Sequence, residues 1–169
     1  MRQQSYIHTS DTTSKVFDMT PTLTIQQLAD ATNLSRTQID QWISRGHFKP
    51  KNPAESGKAR VFTVEDAVVL GTLAELVRIG LTPSVASMHV HSVYAFTDDD
   101  ALLVVSQGPD EMAGGNGALY YDPANPATHG RIVRARDLTG IATDPKVRSM
   151  AVVNLSEVEK RVLKAAGAS

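Results

Sequence analysis

The sequence predicts an α+β protein with its helices early in the chain and its strands late. Three observations carry this. Between Thr24 and Arg45, two short helical periods each begin at a hydroxyl residue with glutamine three positions on: Thr24 with Gln27, and Ser35 with Gln38. That spacing lets the hydroxyl cap the helix while the amide reaches back to the capping residue. From Ala101 onward the apolar runs shorten to four or five residues between glycine- and proline-bearing loops, a strand pattern. A final amphipathic stretch, Val158, Val162, Leu163 and Ala166, ends at Gly167. The chain accordingly divides into a flexible arm at 1–21, a helical unit at 22–95, and a small α+β unit at 98–169 with about four strands and a C-terminal helix.

The first two helices form a helix-turn-helix. Thr32-Asn33 breaks the first helix, and asparagine tolerates the left-handed backbone of a tight turn. Leu34 fills the corner, and the small Ala29 lets the helices approach. In the second helix, Ile39 and Trp42 recur at helical spacing and face inward. Ser35, Arg36, Thr37, Asp40, Gln41 and Ser44 point the other way. Short hydroxyls, an amide and an arginine are the side chains that meet base edges and phosphates in a major groove. The bland alternative is a helical hairpin with a solvated face.

The next segment favours the groove. Gly46 ends the second helix, and Phe48 and Val61-Phe62 bracket a polar segment carrying Lys49, Lys51, Lys58 and Arg60. This reads as a two-stranded hairpin, a wing. From Arg36 to Arg60, six Lys/Arg stand against Asp40 and Glu55, a local +4 in a chain of net charge −1. A basic patch confined to one helix and the loop beside it is an electrostatic footprint for nucleic acid.

These pieces, in this order, resemble the winged helix-turn-helix of the MerR-like superfamily. The resemblance rests on Gly46-His47-Phe48 at the end of the second helix, Phe62-Thr63-Val64-Glu65-Asp66 opening a third, and Gly80-Leu81-Thr82 opening a fourth. It spans about Leu23 to Val90. Asp40-Gln41-Trp42 stands where such proteins typically carry an Arg-Tyr-aromatic run, and the long dimerising coiled coil that usually comes next has no counterpart here. The resemblance implies binding to double-stranded DNA. A regulator, more a repressor than a sensing activator, is the leading expectation. A phage-type packaging or recombination accessory (a small terminase subunit or an excisionase-like protein) shares the module. An antitoxin or protein-interaction adaptor is the alternative without DNA.

The third helix is expected from Thr63, with Asp66 closing another capping box. Between Ala67 and Val77 its only polar residues are Thr72 and Glu75. A helix apolar nearly all round must be covered on more than one side, by the C-terminal region or by a second subunit. Thr82-Pro83 opens the fourth helix, expected to reach about Val93. His89 and His91, two apart on a helix, point to different faces and make poor co-ligands. Strands are expected at Leu102–Val105, Ala118–Tyr121, Arg131–Ala135 (extended by Leu138 and Ile141) and Met150–Val153, with Ser156 capping the last helix through Glu159.

Composition narrows the function further. With no cysteine, disulfides, Fe–S clusters and thiolate metal sensing are excluded. No apolar run approaches the roughly 20 residues of a membrane helix, and Met1–Lys15 lacks the apolar core of a signal peptide, so a cytoplasmic protein with no membrane role is expected. No nucleophile–base pair or metal cluster suggests an enzyme, and no cofactor is implied. Residues 98–169 carry eight basic and ten acidic side chains, a poor DNA surface. Their expected tasks, in order, are homodimerisation, binding a partner protein, and sensing a small ligand.

Overall fold

The computed structural model describes residues 21–52, 56–91, 93, 100–108 and 128–168. The element order is β1 (Thr22–Leu23), α1 (Ile25–Thr32), α2 (Arg36–Ser44), β2 (Phe62–Thr63), α3 (Val64–Arg78), α4 (Pro83–His89), β3 (Ala101–Gln107), β4 (Thr128–Arg134), a 3₁₀ turn (Ala135–Asp137), α5 (Leu138–Ala142), β5 (Ser149–Asn154) and α6 (Leu155–Ala166). The protein is α+β, with an N-terminal helical module followed by a three-stranded sheet and a terminal helix.

Local chemistry sets the helix starts. Thr24, Ser35 and Thr63 each close a capping box, with Gln27, Gln38 and Asp66. Asn33 supplies the left-handed turn between α1 and α2 at φ 51°, and its N–H donates to the Ala29 carbonyl. Thr32 is buried, and its hydroxyl donates back to the Leu28 carbonyl at 2.8 Å. Gly46 comes after α2 at φ 75°, where a side chain would strain the backbone.

Helix α3 is the axle of the molecule. Asp66, Ala67, Val69, Leu70, Gly71, Thr72, Leu73, Ala74 and Leu76 are all buried on it. Helix α1 packs on one side and α6 on another. The cover that the sequence required for this helix is therefore α6. Gly71 permits the close approach: a Cβ there would lie 2.8 Å from Val158 Cγ1. Leu28, Ile39, Phe62, Leu70, Leu103, Val153, Val158 and Val162 belong to one continuous core. Burying so many large aliphatic side chains, at about 1.5–3 kcal/mol each, offsets the entropy of ordering both halves.

The sheet has the order β4-β3-β5, antiparallel throughout. Its register places Leu103 between Ile132 and Val153, and Val105 between Gly130 and Ala151. Leu103, Val105 and Val153 face the helices as part of the core. His89 of α4 lies over Gly130, so close that a Cβ on Gly130 would sit 2.7 Å from the imidazole Nδ1.

Some expectations fall outside the described residues and others are corrected. The sheet has three described strands, and the strand expected at Ala118–Tyr121 lies outside the described residues, as does the arm up to residue 20. Leu138 and Ile141 do not prolong a strand. Their spacing of three forms the short helix α5, with Ile141 buried. Helix α4 stops at His89, with Val90 as its cap, rather than near Val93. The last helix is capped by Asn154, whose side chain accepts from the Glu157 N–H, and not by Ser156, which is buried within the first turn.

The expected wing differs most. Residues 48–52 and 56–61 form no strand ladder with one another. Phe62–Thr63 instead pairs antiparallel with Thr22–Leu23. Pro50 brings no N–H to a ladder. The loop is held by Asp66, whose fully buried carboxylate accepts from the backbone N–H of Lys51 and of Thr63, both at 3.0 Å.

Candidate nucleic-acid interface

Helix α2 is two-faced. Ile39 and Trp42 are buried, while Ser35, Arg36, Thr37, Asp40, Gln41 and Ser44 are all exposed. The amphipathic period therefore leaves one polar ridge that the other described residues do not cover. The Ser35 hydroxyl is already committed to its capping box, accepting from the Gln38 N–H at 3.2 Å. The Ser44 hydroxyl donates to the Gln41 carbonyl at 3.3 Å. Arg36, Thr37 and Gln41 on the first two turns keep their side chains on the open face.

The loop after α2 supplies the cations. The Trp42 carbonyl accepts from the N–H groups of His47 and Phe48 at 2.9 and 3.1 Å, and Phe48 is buried. This turn brings the chain back beside α2. Lys49, Lys51 and Lys58 are exposed, and Arg60 is half-buried with its Nε enclosed. Lys51 Nζ forms an ion pair with Glu65 at the start of α3. That carboxylate reduces the positive field on this side of the loop. An exposed pair of this kind contributes at most about 1 kcal/mol, so it is readily exchanged for a phosphate.

A second set of residues positions the ridge, and sequence reasoning did not find it. Arg78, at the end of α3, donates through Nη2 to the Thr32 carbonyl at 2.5 Å and to the Asn33 carbonyl at 3.3 Å. These carbonyls sit in the turn that launches α2. Arg78 also pairs with Glu75 at 2.8 Å, and Glu75 accepts from Arg161 of α6 at 2.5 Å. Burial alone would raise the Glu75 carboxyl. Hydrogen bonds from Arg161 and Arg78, together with their charges, bring it below its ordinary value. Gln27 Nε2 adds a further tie, donating to the Ala165 carbonyl at 3.1 Å. The turn before α2 is thus braced by α3 and, through Glu75, by α6.

The histidines sit elsewhere. His89 Nε2 lies 2.9 Å from Thr128 Oγ1. Burial, then the neighbouring charges of His129 and His91, lowers its pKa from the ordinary 6.5. Among the described residues, no group of three or more His, Asp or Glu side chains is placed to hold a metal ion. None of the described helices is long and apolar enough to cross a membrane.

Comparison with known proteins agrees with this geometry. Residues 23–92 match the model of the MerR HTH family regulatory proteins. A search of curated proteins finds no match. The matched segment runs from β1 to the end of α4 and contains the exposed ridge, the basic loop and Arg78. Residues 23–92 are therefore similar to the helix-turn-helix of MerR HTH family regulatory proteins.

Proposed function

We propose that the protein is a sequence-specific transcription regulator, a repressor that binds double-stranded DNA as a homodimer. The observation that carries this is the ridge on α2, polar, exposed and continuous with a basic loop, within a segment that matches regulatory helix-turn-helix proteins. Helix α2 enters the major groove. Arg36, Thr37, Gln41 and Ser44 face base edges, with Asp40 among them, and the N-terminal end of the helix at Ser35 meets a phosphate. Lys49, Lys51, Lys58 and Arg60 hold the flanking backbone. Glu65 releases Lys51 when a phosphate arrives. Repression suits a module without the long coiled coil of the sensing activators. The task of residues 98–169 is then self-association, with a partner protein or small ligand as the other candidates.

A single module of this size gives limited affinity. Two copies on half-sites a whole number of helical turns apart, about 34 Å or a multiple of it, supply the rest. The test is binding to a site selected from random duplexes. Arg36→Ala should weaken binding to that site by about 1–3 kcal/mol and binding to random DNA far less. Equal loss on both would remove the base-reading role. Lys58→Ala with Arg60→Ala should lower affinity on all sequences and reduce the slope of log K against log salt by about one to two. An unchanged slope would take the loop off the DNA.

A further inference from the structure

The two edges of the sheet are not alike. Strand β4 carries His129, Arg131 and Arg134 along its length. Charges of this kind discourage edge-to-edge pairing. Strand β5, on the other edge, reads Ser-Met-Ala-Val-Val-Asn, with no charge and no proline. Among the described residues, no strand pairs with its outer side. The apolar side chains beside it are also uncovered: Ile79 is 51% exposed and Met150 37%. Ile79 is the wall common to two clefts. One, of about 230 Å³, is lined by Leu81, Ser149, Met150 and Ala151. The other, of about 300 Å³, is lined by Val152, Val153, Asn154 and Arg161. Ile79 therefore stands over the middle of β5, with a trough on each side of it.

We propose that the outer edge of β5 is the homodimer interface, where a second copy of this chain adds its own β5 in antiparallel register. This rests on the regulator reading only for its purpose, not for its geometry. A two-fold axis through Ala151 pairs Met150 with Val152 of the second copy, Ser149 with Val153, and Arg148 with Asn154. Residues paired across an antiparallel ladder share a face, so these pairings keep the core-facing residues of both copies on one side of a six-stranded sheet. Helices α3 and α6 of both copies lie on that side, and the two Ile79 side chains meet over the axis. The ends are complementary in charge. Lys146 and Arg148, leading into β5, fall beside the first turn of α6 in the other copy, which carries Glu157, with Glu159 just beyond it. A second copy fits better than a foreign strand because one segment satisfies both the apolar centre and the opposite charges at its two ends.

Sedimentation of the full chain without DNA tests this apart from any DNA reading. The wild type should run at twice its 18.2 kDa mass. The double variant Ile79→Lys with Met150→Lys, both at exposed positions, should run as a folded monomer. Met88→Lys, at 59% exposure on α4, should leave the dimer intact. The chain has no cysteine, so Ala151→Cys gives one thiol per copy. Facing residues in such a ladder have Cα atoms roughly 4.5–5.5 Å apart, within disulfide reach, and mild oxidation should crosslink the dimer quantitatively. A monomeric wild type at 100 micromolar, or a dimer that survives the double lysine variant, overturns the interface. A dimer that Ala151→Cys fails to crosslink overturns this register. If the interface holds and Arg36→Ala changes no DNA affinity, the regulator reading fails and the interface stands.

Discussion

Helices α1 and α2 and the sheet β4-β3-β5 are put together in opposite ways. Each helix begins with a capping box closed within four consecutive residues, Thr24 to Gln27 and Ser35 to Gln38. The left-handed turn between them rests on one asparagine. The sheet is built from distant partners: Leu102 faces both Val133 and Asn154. The helical module exposes polar side chains on a ridge that the other described residues leave uncovered. The sheet encloses its central strand β3 and leaves β4 and β5 partly exposed as its two edges. A surface specified by neighbouring residues can vary in its contacts without disturbing the fold. A surface made by distant pairing cannot, because each side chain there also sets the register. The two regions meet on α3, and the strength of that joint can be probed directly.

The largest effect is expected at Asp66. Its buried carboxylate holds the N–H groups of Lys51 and Thr63. Asp66→Ala should cost about 3 kcal/mol, from two hydrogen bonds to a charged group, and should free the basic loop. Urea denaturation measures the first consequence and hydrogen exchange at residues 48–52 the second. A loss below about 1 kcal/mol would mean that the loop is held by Phe48 rather than by Asp66. Next comes Gly71→Ala, which forces Val158 away from α3 and should cost about 2 kcal/mol. If the halves share their stability through this seam, the thermal transition stays single and shifts down. Two separate transitions would show that they unfold independently.

The smallest effect is the response to acid. His89 has its pKa lowered on folding, so the folded state resists protonating it. Its contribution is complete above the ordinary value of 6.5 and is lost as pH falls through the lowered folded value. Glu75 is also lowered, so its contribution is present above 4.5 and is lost at still more acid pH. A plot of Tm against pH should therefore decline in two stages. His89→Gln should remove the upper stage and Glu75→Gln the lower. A single stage that neither change alters would place the acid response on other groups.

How much of the molecule is legible in its sequence obeys the same division. The caps at Thr24, Ser35 and Thr63 can be read because the partner lies three residues away. The outward set on α2 can be read because Ile39 and Trp42 fix the opposite side. Asn154 escapes notice as a cap because Ser156 offers a competing local motif, and the end of β5 decides between them. The pairing of β1 with β2 escapes it because two residues beside Pro21 carry no strand period. The bracketing apolar residues of the wing suggest a ladder, but Phe48 is buried in the core and Phe62 pairs with Leu23 instead. Among the positioning residues, Arg78 and Glu75 look like ordinary helix-end charges. Arg161 lies 86 residues from its carboxylate partner, and no spacing rule reaches that far.

The contact of Val158 with Gly71 has a consequence for how such a chain can be rearranged. A helical head cut from this protein at the end of α4 would carry α3 with one flank stripped bare, and the Arg78 brace would lose the far cation on its carboxylate. Grafting that head onto another body would require bringing α6 along, or supplying a helix of the same contour. Its tail is thus less an appendage than the missing wall of the head.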